Sequence, residues 1–347
     1  MFRTTTWALA VGLLAAAPAL QASAQKNVDI RLSVASPVVQ GDTDVVVKVT
    51  ITNTARHPVM LLSWQLPSDE LDGPLFKITR DDNQKVGYLG PIVKRGAPQA
   101  SDRIKLEPGA SLSYEVELTG AYDLSASGRY AIEYDSRGKH GDAISLSSDP
   151  LYVWLEGRSA KRPAPPPPPP PPPGSGISYT GNCSASQQTA LQAAVSAATN
   201  YATQSNTYLS STPPSGTLRY TTWFGAYAPE RWNTVRAHFA AEQSAFATQP
   251  LTLDCKCKKS NVYAYVYPTE PYKIYLCGAF WSAPLTGTDS RAGTLIHEMS
   301  HFNVVAGTDD WAYGQTAAKA LAISDPVKAV DNADSHEYFA ENTPSQP

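Results

Sequence analysis

A run of nine prolines, Pro165–Pro173, constrains this 347-residue chain more than any other feature. Proline has no backbone N–H and fixes φ at about −65°, so the run can join neither a helix nor a central strand and forms an extended spacer instead. Residues 174–176, Gly-Ser-Gly, follow it as a flexible joint. The sequence therefore predicts a Pro-rich linker over residues 161–176, with one folded part on each side.

The N-terminal residues have the organisation of an export signal. Arg3 is followed by an apolar stretch, Trp7–Leu20, and then by Ala22 and Ala24 at the spacing of a signal-peptidase site. The apolar stretch is shorter than the roughly 20 residues of a membrane-spanning helix, which disfavours the alternative of a membrane anchor. We expect residues 1–24 to be a signal peptide and the protein to be secreted into the extracellular medium, with no membrane partner.

The overall charge argues against one class of partner. The formal net charge is −3, the isoelectric point is about 6.1, and 17% of the residues are charged. A protein that binds nucleic acid normally presents a strongly basic surface, which this composition does not supply. We therefore expect no nucleic-acid partner, and we expect the chain to act as a monomer.

Residues 25–160 have the pattern of an all-β domain. β-branched or alternating apolar residues predict strands, which cover residues 45–51, 112–118, 130–134 and 151–155. Turn-forming pairs such as Pro108-Gly109 separate them. Several short strands with turns between them are typical of an immunoglobulin-like sandwich.

Residues 177–347 have a different pattern. Apolar residues at helical spacing predict helices over residues 184–208, 230–247 and about 290–305, with two shorter helical pieces over residues 314–323 and 325–333. Strict alternation predicts a β-hairpin over residues 261–277. This part should therefore combine helices with a small sheet.

All four cysteines, Cys183, Cys255, Cys257 and Cys277, lie in the second part. An even number of cysteines in an exported chain indicates two disulfides. A bond between Cys255 and Cys257 is disfavoured, because side chains two residues apart in an extended segment point the same way without facing each other. Two pairings remain open on these grounds. A zinc-binding Cys-Lys-Cys fragment is the alternative, but its spacing is tighter than the usual Cys-x2-Cys.

The motif that indicates chemistry is His-Glu-Met-Ser-His at residues 297–301, within the third predicted helix. Residues four apart share one face of a helix, so His297 and His301 can present two imidazoles to one metal ion. Glu298 lies one position further round the helix, which suits a base that takes a proton from metal-bound water. Two core or surface histidines on an ordinary helix are the alternative interpretation.

A second motif, Gly-Thr-Asp-Asp-Trp-Ala-Tyr-Gly, follows at residues 307–314. Gly307 can end the helix in a left-handed conformation and so return an aspartate to the metal, which at a catalytic zinc site has three protein ligands. His-Glu-x-x-His followed by Gly-Thr-x-Asp-x-x-Tyr-Gly resembles the deuterolysin and peptidyl-Lys metalloendopeptidase family, the aspzincins. Similar segments at residues 220–225, 272–277 and 332–339 extend the resemblance to about residues 177–347.

The resemblance implies an α+β, zincin-like catalytic domain over residues 177–347 that holds one Zn2+ per chain. The family motifs assign the three metal ligands to His297, His301 and Asp310. They make Glu298 the general base and Tyr313 the source of the hydroxyl that stabilises the oxyanion. Asp309 is the alternative ligand. In the family motif its position is the variable one, which makes it a turn residue instead. The resemblance also implies the disulfides Cys183–Cys255 and Cys257–Cys277.

Substrate specificity is also implied by the resemblance. In the lysine-specific branch of the family two acids line the pocket for the residue after the cleaved bond, and the matching positions here are Asp334 and Glu337. Two carboxylates at the end of a narrow pocket hold an ammonium group well. We expect protein and peptide substrates to lie on an edge strand of the hairpin at residues 261–277 and to be cleaved on the amino side of lysine.

The whole chain is then interpreted as a secreted zymogen, in which residues 25–160 form a propeptide that acts as an intramolecular inhibitor. Residues 91–96 are expected to form an exposed loop, from which Lys94 would reach the acidic pocket as a substrate mimic. Lys161 offers a bond for self-processing, after Ala160. The alternative is a protease of broader, deuterolysin-like specificity that keeps the sandwich as a permanent binding module.

Overall fold

The computed structural model describes residues 27–68, 71–81, 83–136, 144–159, 176–213 and 217–347. The predicted signal peptide, and all of the predicted linker except Gly176, lie outside these residues. Residues 27–159 are called the N-terminal part below, and residues 176–347 the C-terminal part. None of the helices in the described ranges is both long and apolar enough to cross a membrane.

The regular structure of the N-terminal part consists of β-strands and two short 310 turns. The strands are β1 (Val28–Ser33), β2 (Val38–Gln40), β3 (Val46–Asn53), β4 (Val59–Leu62), β5 (Phe76–Arg80), β6 (Gln84–Lys85), β7 (Ile92–Arg95), β8 (Arg103–Leu106), β9 (Ser111–Glu117), β10 (Gly128–Tyr134) and β11 (Leu151–Glu156). All of them except β7 form a three-stranded sheet in the order β1-β3-β9, a five-stranded sheet in the order β2-β11-β10-β5-β6, and a ribbon of β4 and β8. The four strands predicted from the sequence are confirmed as β3, β9, β10 and β11.

One apolar core joins the two larger sheets of the N-terminal part. Alternate residues of β3, Val47, Val49 and Ile51, are buried in it together with Ile78 of β5 and Ile132 of β10. Full burial of an aliphatic side chain contributes about 1.5–3 kcal/mol. The shared core therefore holds the two sheets together.

The C-terminal part is a mixture of helices and strands. Its elements are β12 (Ile177–Thr180), α1 (Ala185–Ser211), α2 (Leu218–Phe224), α3 (Pro229–Thr248), β13 (Leu251–Asp254), β14 (Val262–Val266), β15 (Lys273–Leu276), α4 (Gly278–Ser282), α5 (Arg291–His301), α6 (Gln315–Ser324), α7 (Pro326–Val330) and α8 (Ala333–Glu341). The first two predicted helices are confirmed as α1 and α3. Ser184 caps α1, since its hydroxyl accepts the backbone N–H of Gln187 (3.2 Å).

The C-terminal part contains one sheet, in the order β12-β13-β15-β14-β7. β12, β13 and β15 run parallel, and β14 runs antiparallel to β15, which confirms the predicted hairpin. Two disulfides, Cys183–Cys255 and Cys257–Cys277, connect the segments around these strands. This is the pairing that the family resemblance implies.

The last strand of this sheet, β7, comes from the N-terminal part. It pairs antiparallel with β14, with Val93 opposite Tyr265 and Lys94 opposite Ala264. All four residues of β7 are buried, so the prediction of an exposed loop at residues 91–96 is wrong. The prediction fails because Lys94 and Arg95 are charged, and their partners are brought together only by the folded molecule.

Candidate active site

Helix α5 carries the two histidines of the predicted metal site. Ser290 caps the helix by accepting the backbone N–H of Gly293 (2.9 Å). The helix ends at His301, a turn earlier than predicted. His297 and His301 are both buried, and their ring centroids are 4.8 Å apart. The helix thus presents two imidazoles side by side.

The segment after α5 turns back toward these imidazoles. Gly307 has a φ of +63°, a left-handed conformation that glycine adopts readily. Thr308 then returns to the helix end, where its hydroxyl contacts Ser300 Oγ (2.6 Å) and its carbonyl accepts the Nδ1–H of His301 (2.8 Å). Because Nδ1 carries this proton, the lone pair of His301 lies on Nε2.

Asp310 completes a cluster of three side chains that could hold a metal ion. Its Oδ1 lies 3.1 Å from His297 Nε2 and 3.6 Å from His301 Nε2. All three atoms are buried and make no hydrogen bond of standard geometry with the described residues. An unsatisfied buried polar atom costs roughly 1–3 kcal/mol, and two imidazole nitrogens with a carboxylate oxygen are donors that zinc accepts. The three residues therefore fit a metal ion such as zinc.

Asp309, the rival ligand, points elsewhere. Its Oδ1 accepts the backbone N–H of Asp310 (2.8 Å), and its backbone forms a bridge to Asn332. The buried Asn332 side chain in turn accepts the N–H groups of Trp311 and Ala312 (2.9 and 3.0 Å). Asn332 is not predicted as a site residue, because a buried amide leaves no signal in an apolar pattern. Its place at the start of the similar segment 332–339 is the one available hint.

Glu298 and Tyr313 complete the predicted catalytic set. Both carboxylate oxygens of Glu298 are buried without a hydrogen-bond partner among the described residues. Burial raises the pKa of Glu298 to about 8, and a divalent cation beside it would lower that pKa again. The Tyr313 hydroxyl lies 2.8 Å from Asp310 Oδ2 and 2.7 Å from the carbonyl oxygen of Val93 in β7.

The two predicted pocket acids lie on α8, and Lys94 of β7 lies between them. Asp334 and Glu337 are fully buried, and Lys94 is only 1% exposed. The Lys94 ammonium is 3.3 Å from Asp334 Oδ1 and in direct contact with Glu337 Oε2. Burial alone would lower the pKa of Lys94, but the two carboxylates raise it well above its usual value. Lys94 is therefore a buried cation, held by two anions of the other part of the chain.

Other residues of the N-terminal part also cover the site. Trp64 packs edge-on against Tyr313, with ring centroids 6.2 Å apart. Asp72 accepts hydrogen bonds from Arg95 of β7 (3.0 Å) and from Lys259 of the C-terminal part (2.8 Å). A cavity of about 730 Å3 between the two parts reaches His301 and Thr308. The ligand cluster is thus covered by β7 and bordered by a cavity.

Comparison with known proteins identifies the family. A family model described as aspzincin, lysine-specific metallo-endopeptidase, matches residues 208–341. The extracellular protease of Aeromonas hydrophila is 45% identical over 357 aligned positions that span the full length of both chains. The chain belongs to the aspzincin family.

Further relatives of this aspzincin are peptidyl-Lys metalloendopeptidases of two fungi. The Grifola frondosa protein is 38% identical, over 96% of this chain and 99% of its own, and the Armillaria mellea protein is 40% identical, over 94% and 95%. A solved structure of a zinc peptidase from Grifola frondosa is 54% identical and covers 48% of this chain and 100% of that one, with a TM-score of 0.46. As an aspzincin, the chain is a metalloendopeptidase that hydrolyses protein or peptide substrates.

Proposed function

We propose that this aspzincin is a secreted zinc endopeptidase, made as a zymogen, that cleaves on the amino side of lysine. The position of β7 supports the proposal more than any other observation. Lys94 fills the acidic pocket while the carbonyl of the preceding residue, Val93, accepts a hydrogen bond from Tyr313. A lysine and the peptide bond before it therefore occupy the positions expected of a substrate.

The backbone of β7 is also arranged like a bound peptide. β7 lies antiparallel along β14, which without it would be the edge strand of the C-terminal sheet. Pairing with an exposed edge strand holds an extended peptide through its main chain, while pockets select its side chains. We therefore infer that substrates add to β14 in the same direction as β7.

We assign one Zn2+ per chain to His297, His301 and Asp310. A bound zinc ion supplies Lewis acidity and lowers the pKa of water at this position. Glu298 takes a proton from the attacking water and delivers it to the leaving amine. Tyr313 donates a hydrogen bond to the carbonyl oxygen as negative charge develops there, and loss of such a donor typically slows a reaction by roughly a hundredfold or more.

Asp334 and Glu337 account for the preference for lysine. A neutral side chain would leave two buried carboxylates without a cation, which is costly. Arginine is a poorer fit than lysine, because its planar guanidinium needs a wider pocket. The names of three relatives, peptidyl-Lys metalloendopeptidases from Grifola frondosa, Armillaria mellea and Pleurotus ostreatus, agree with this specificity.

The N-terminal part acts in this proposal as an inhibitory propeptide, built as an immunoglobulin-like sandwich. β7 occupies the edge of β14 and Lys94 occupies the acidic pocket, so a substrate cannot enter while β7 is in place. A short linker raises the effective concentration of such a module to about the millimolar range, so even weak contacts suffice. Inhibition of this kind is intramolecular and needs only one copy of the chain.

Release of the propeptide follows cleavage in the linker region. The bond between Ala160 and Lys161 lies outside the described residues, and the proposed specificity makes it a site for self-processing. Secretion after removal of residues 1–24 agrees with the name of the Aeromonas hydrophila relative, an extracellular protease. The mature enzyme would then consist of the C-terminal part, with both disulfides.

Expression of the wild type beside Glu298→Ala tests the proposal. The wild type should be cut between Ala160 and Lys161, and the peptides it releases from a defined protein should begin with lysine. The inactive variant should accumulate as the form that lacks only residues 1–24, called the proform below, and should be cut when active enzyme is added. A fully active wild type that keeps its N-terminal part would support the binding-module alternative, and cleavage maps dominated by apolar residues would support broader specificity.

A further inference from the structure

The two acids of the lysine pocket have different surroundings. Asp334 Oδ1 lies 2.9 Å from His297 Nδ1 as well as 3.3 Å from Lys94 Nζ, and Asp334 Oδ2 accepts the backbone N–H of Gly314 (2.6 Å). Glu337 Oε2 contacts Lys94 and lies 3.4 Å from His297 Nδ1, while its Oε1 makes no hydrogen bond with the described residues. Asp334 therefore has contacts on three sides, whereas the closest contact of Glu337 is the lysine.

The two histidines of the ligand cluster differ in the group that faces their second nitrogen. His301 Nδ1 donates to a backbone carbonyl, that of Thr308. His297 Nδ1 faces the Asp334 carboxylate instead, at a short distance but without the alignment of a standard hydrogen bond, so the contact acts mainly through charge. An anion at this position keeps the proton on Nδ1, leaves Nε2 for the metal and makes the imidazole a stronger ligand.

The contact with Gly314 connects Asp334 to the other side of the site. Gly314 directly follows Tyr313 and has a φ of +85°, and a Cβ at this position would lie only 2.8 Å from Ala97 Cβ. The bond from its N–H to Asp334 fixes this turn, and with it the start of the Tyr313 side chain. One buried carboxylate thus holds both the first histidine and the turn that carries the proposed oxyanion donor.

We propose that Asp334 is a positioning residue of the metal centre, and that Glu337 carries most of the discrimination for lysine. Asp334 orients His297 and the Tyr313–Gly314 turn whether or not a lysine is bound. Glu337 lies further from His297 Nδ1 (3.4 Å, against 2.9 Å for Asp334), and its Oε1 makes no hydrogen bond with the described residues, so its charge is available to the substrate ammonium. The second half of this inference rests on the lysine specificity proposed above, and the first half does not.

Zinc affinity tests the positioning role without any turnover. It is measured by chelator competition in the Glu298→Ala proform. We expect Asp334→Asn to weaken zinc binding about 10- to 100-fold, and Glu337→Gln, the matched isosteric control one helical turn away, to change it less than about threefold. Equal zinc affinities in the two variants would overturn the positioning role. Repeating the pair of measurements with Lys94→Met should give the same ratio, because the role does not depend on the lysine.

A pair of peptides tests how much each of the two acids contributes to the preference for lysine in the mature enzyme. The residue after the cleaved bond is lysine in one peptide and, in the other, norleucine, which keeps the four side-chain carbons of lysine but lacks the ammonium group. Glu337→Gln should lower the ratio of the two kcat/KM values about 10- to 100-fold, since it removes a charge-assisted hydrogen bond. Asp334→Asn, at saturating zinc, should lower kcat for both peptides and change the ratio less. If Asp334→Asn instead left kcat for the norleucine peptide unchanged and strongly lowered the ratio of the two kcat/KM values, Asp334 would be a specificity residue and not a positioning residue.

A second variant covers the possibility that Asp334→Asn does not fold. Asp334→Glu keeps the charge but moves it by one methylene, so it should weaken zinc binding while the preference for lysine persists. Wild-type zinc affinity in this variant would contradict the inference. Failure of the proposed function is visible separately, because a wild-type enzyme that does not distinguish lysine from norleucine rejects lysine specificity and leaves the zinc measurement unaffected.

Discussion

Lys94 is the side chain that couples the two parts of the molecule most directly. A buried charge is tolerated only beside opposite charges, and Lys94 finds them in Asp334 and Glu337. Loss of one partner of a buried ion pair typically costs about 3–5 kcal/mol. Because lysine and acids belong to different parts of the chain, that cost should appear as separation of the parts rather than as unfolding of either.

Replacing Lys94 should therefore activate the proform. Lys94→Met keeps an unbranched chain of four heavy atoms but removes the ammonium group, which leaves two buried acids without a cation. A cost of about 3–5 kcal/mol corresponds to at least a hundredfold rise in the open fraction. The measurement is hydrolysis of a short lysine peptide by a proform that keeps Glu298 and carries Lys161→Gln, which blocks processing. Lys48→Met, at an exposed position of β3, is the control and should remain latent. Equal latency of the two variants would mean that β7 inhibits without its lysine.

Three variants distinguish the roles of the residues around the metal. Glu298→Ala should keep zinc and lose proteolysis, because its proposed role is proton transfer and not metal binding. Asp310→Ala should lose zinc, since it removes one of the three proposed ligands. Asp309→Ala should keep most of its zinc, because that side chain bonds to the backbone N–H of Asp310. Metal analysis of the purified proteins is the measurement, and the reverse order for the two aspartates would show that the ligand register is wrong.

Short sequence motifs predict which neighbouring side chains come together at the site, whereas contacts between distant segments are harder to predict. His297, His301 and Asp310 lie within 14 positions of each other, so one helix and one turn at Gly307 decide their geometry. The proximity of Lys94 to Asp334 and Glu337 was inferred only through an expected lysine pocket. The contact of Asp334 with His297 left no trace in either motif, because it depends on how α8 packs against α5.

At the scale of elements, helices with an apolar stripe were predictable and helices without one were not. α1 and α3 show helical spacing of apolar residues, whereas all nine residues of α8 are buried and five of them are polar or charged. Such a helix has no apolar face that a sequence pattern could reveal, because its polar groups bond to neighbouring elements. β7 is not predicted from the sequence for a related reason, since two of its four residues are charged.

The close packing of α8 on α5 predicts a strong effect at a single glycine. A Cβ at Gly293 would collide with the carboxylate of Glu341, which accepts hydrogen bonds from Ser290 at the start of α5. Gly293→Ala should therefore destabilise the protein by about 1–3 kcal/mol, despite the higher helix propensity of alanine. Thermal unfolding of the Glu298→Ala proform measures this. Gly73→Ala, where a Cβ meets nothing within 4 Å, is the control and should unfold like its parent; an equally stable Gly293→Ala would show that α8 can move aside.

At the scale of the whole molecule, a strand of the N-terminal part completes the sheet of the C-terminal part. The contact includes main-chain pairing of β7 with β14, the buried lysine, and the bridge from Lys259 to Asp72. Main-chain pairing is insensitive to sequence, so the buried lysine supplies the specificity of the contact. A contact whose dissociation constant lies below the linker's effective concentration stays formed while the linker is intact. Under the proposed zymogen mechanism, the same contact would dissociate after the linker is cut and the pieces are diluted.

Cutting the linker should therefore turn a stable contact into a concentration-dependent one. A recognition site for an unrelated protease is placed within the proline run of the Glu298→Ala proform, and the cut protein is diluted and followed by gel filtration. We expect the two pieces to elute together at high concentration and to separate on dilution below the dissociation constant of their contact. That constant need only lie below the effective concentration that the linker provides, about the millimolar range. The same cut protein with Lys94→Met should separate at a concentration at least about a hundredfold higher, because its pocket acids are unpaired. Lys48→Met again provides the control and should behave like its parent. Pieces that stay together at nanomolar concentration would mean that cleavage of the linker does not release the enzyme, and that activation requires destruction of the N-terminal part itself.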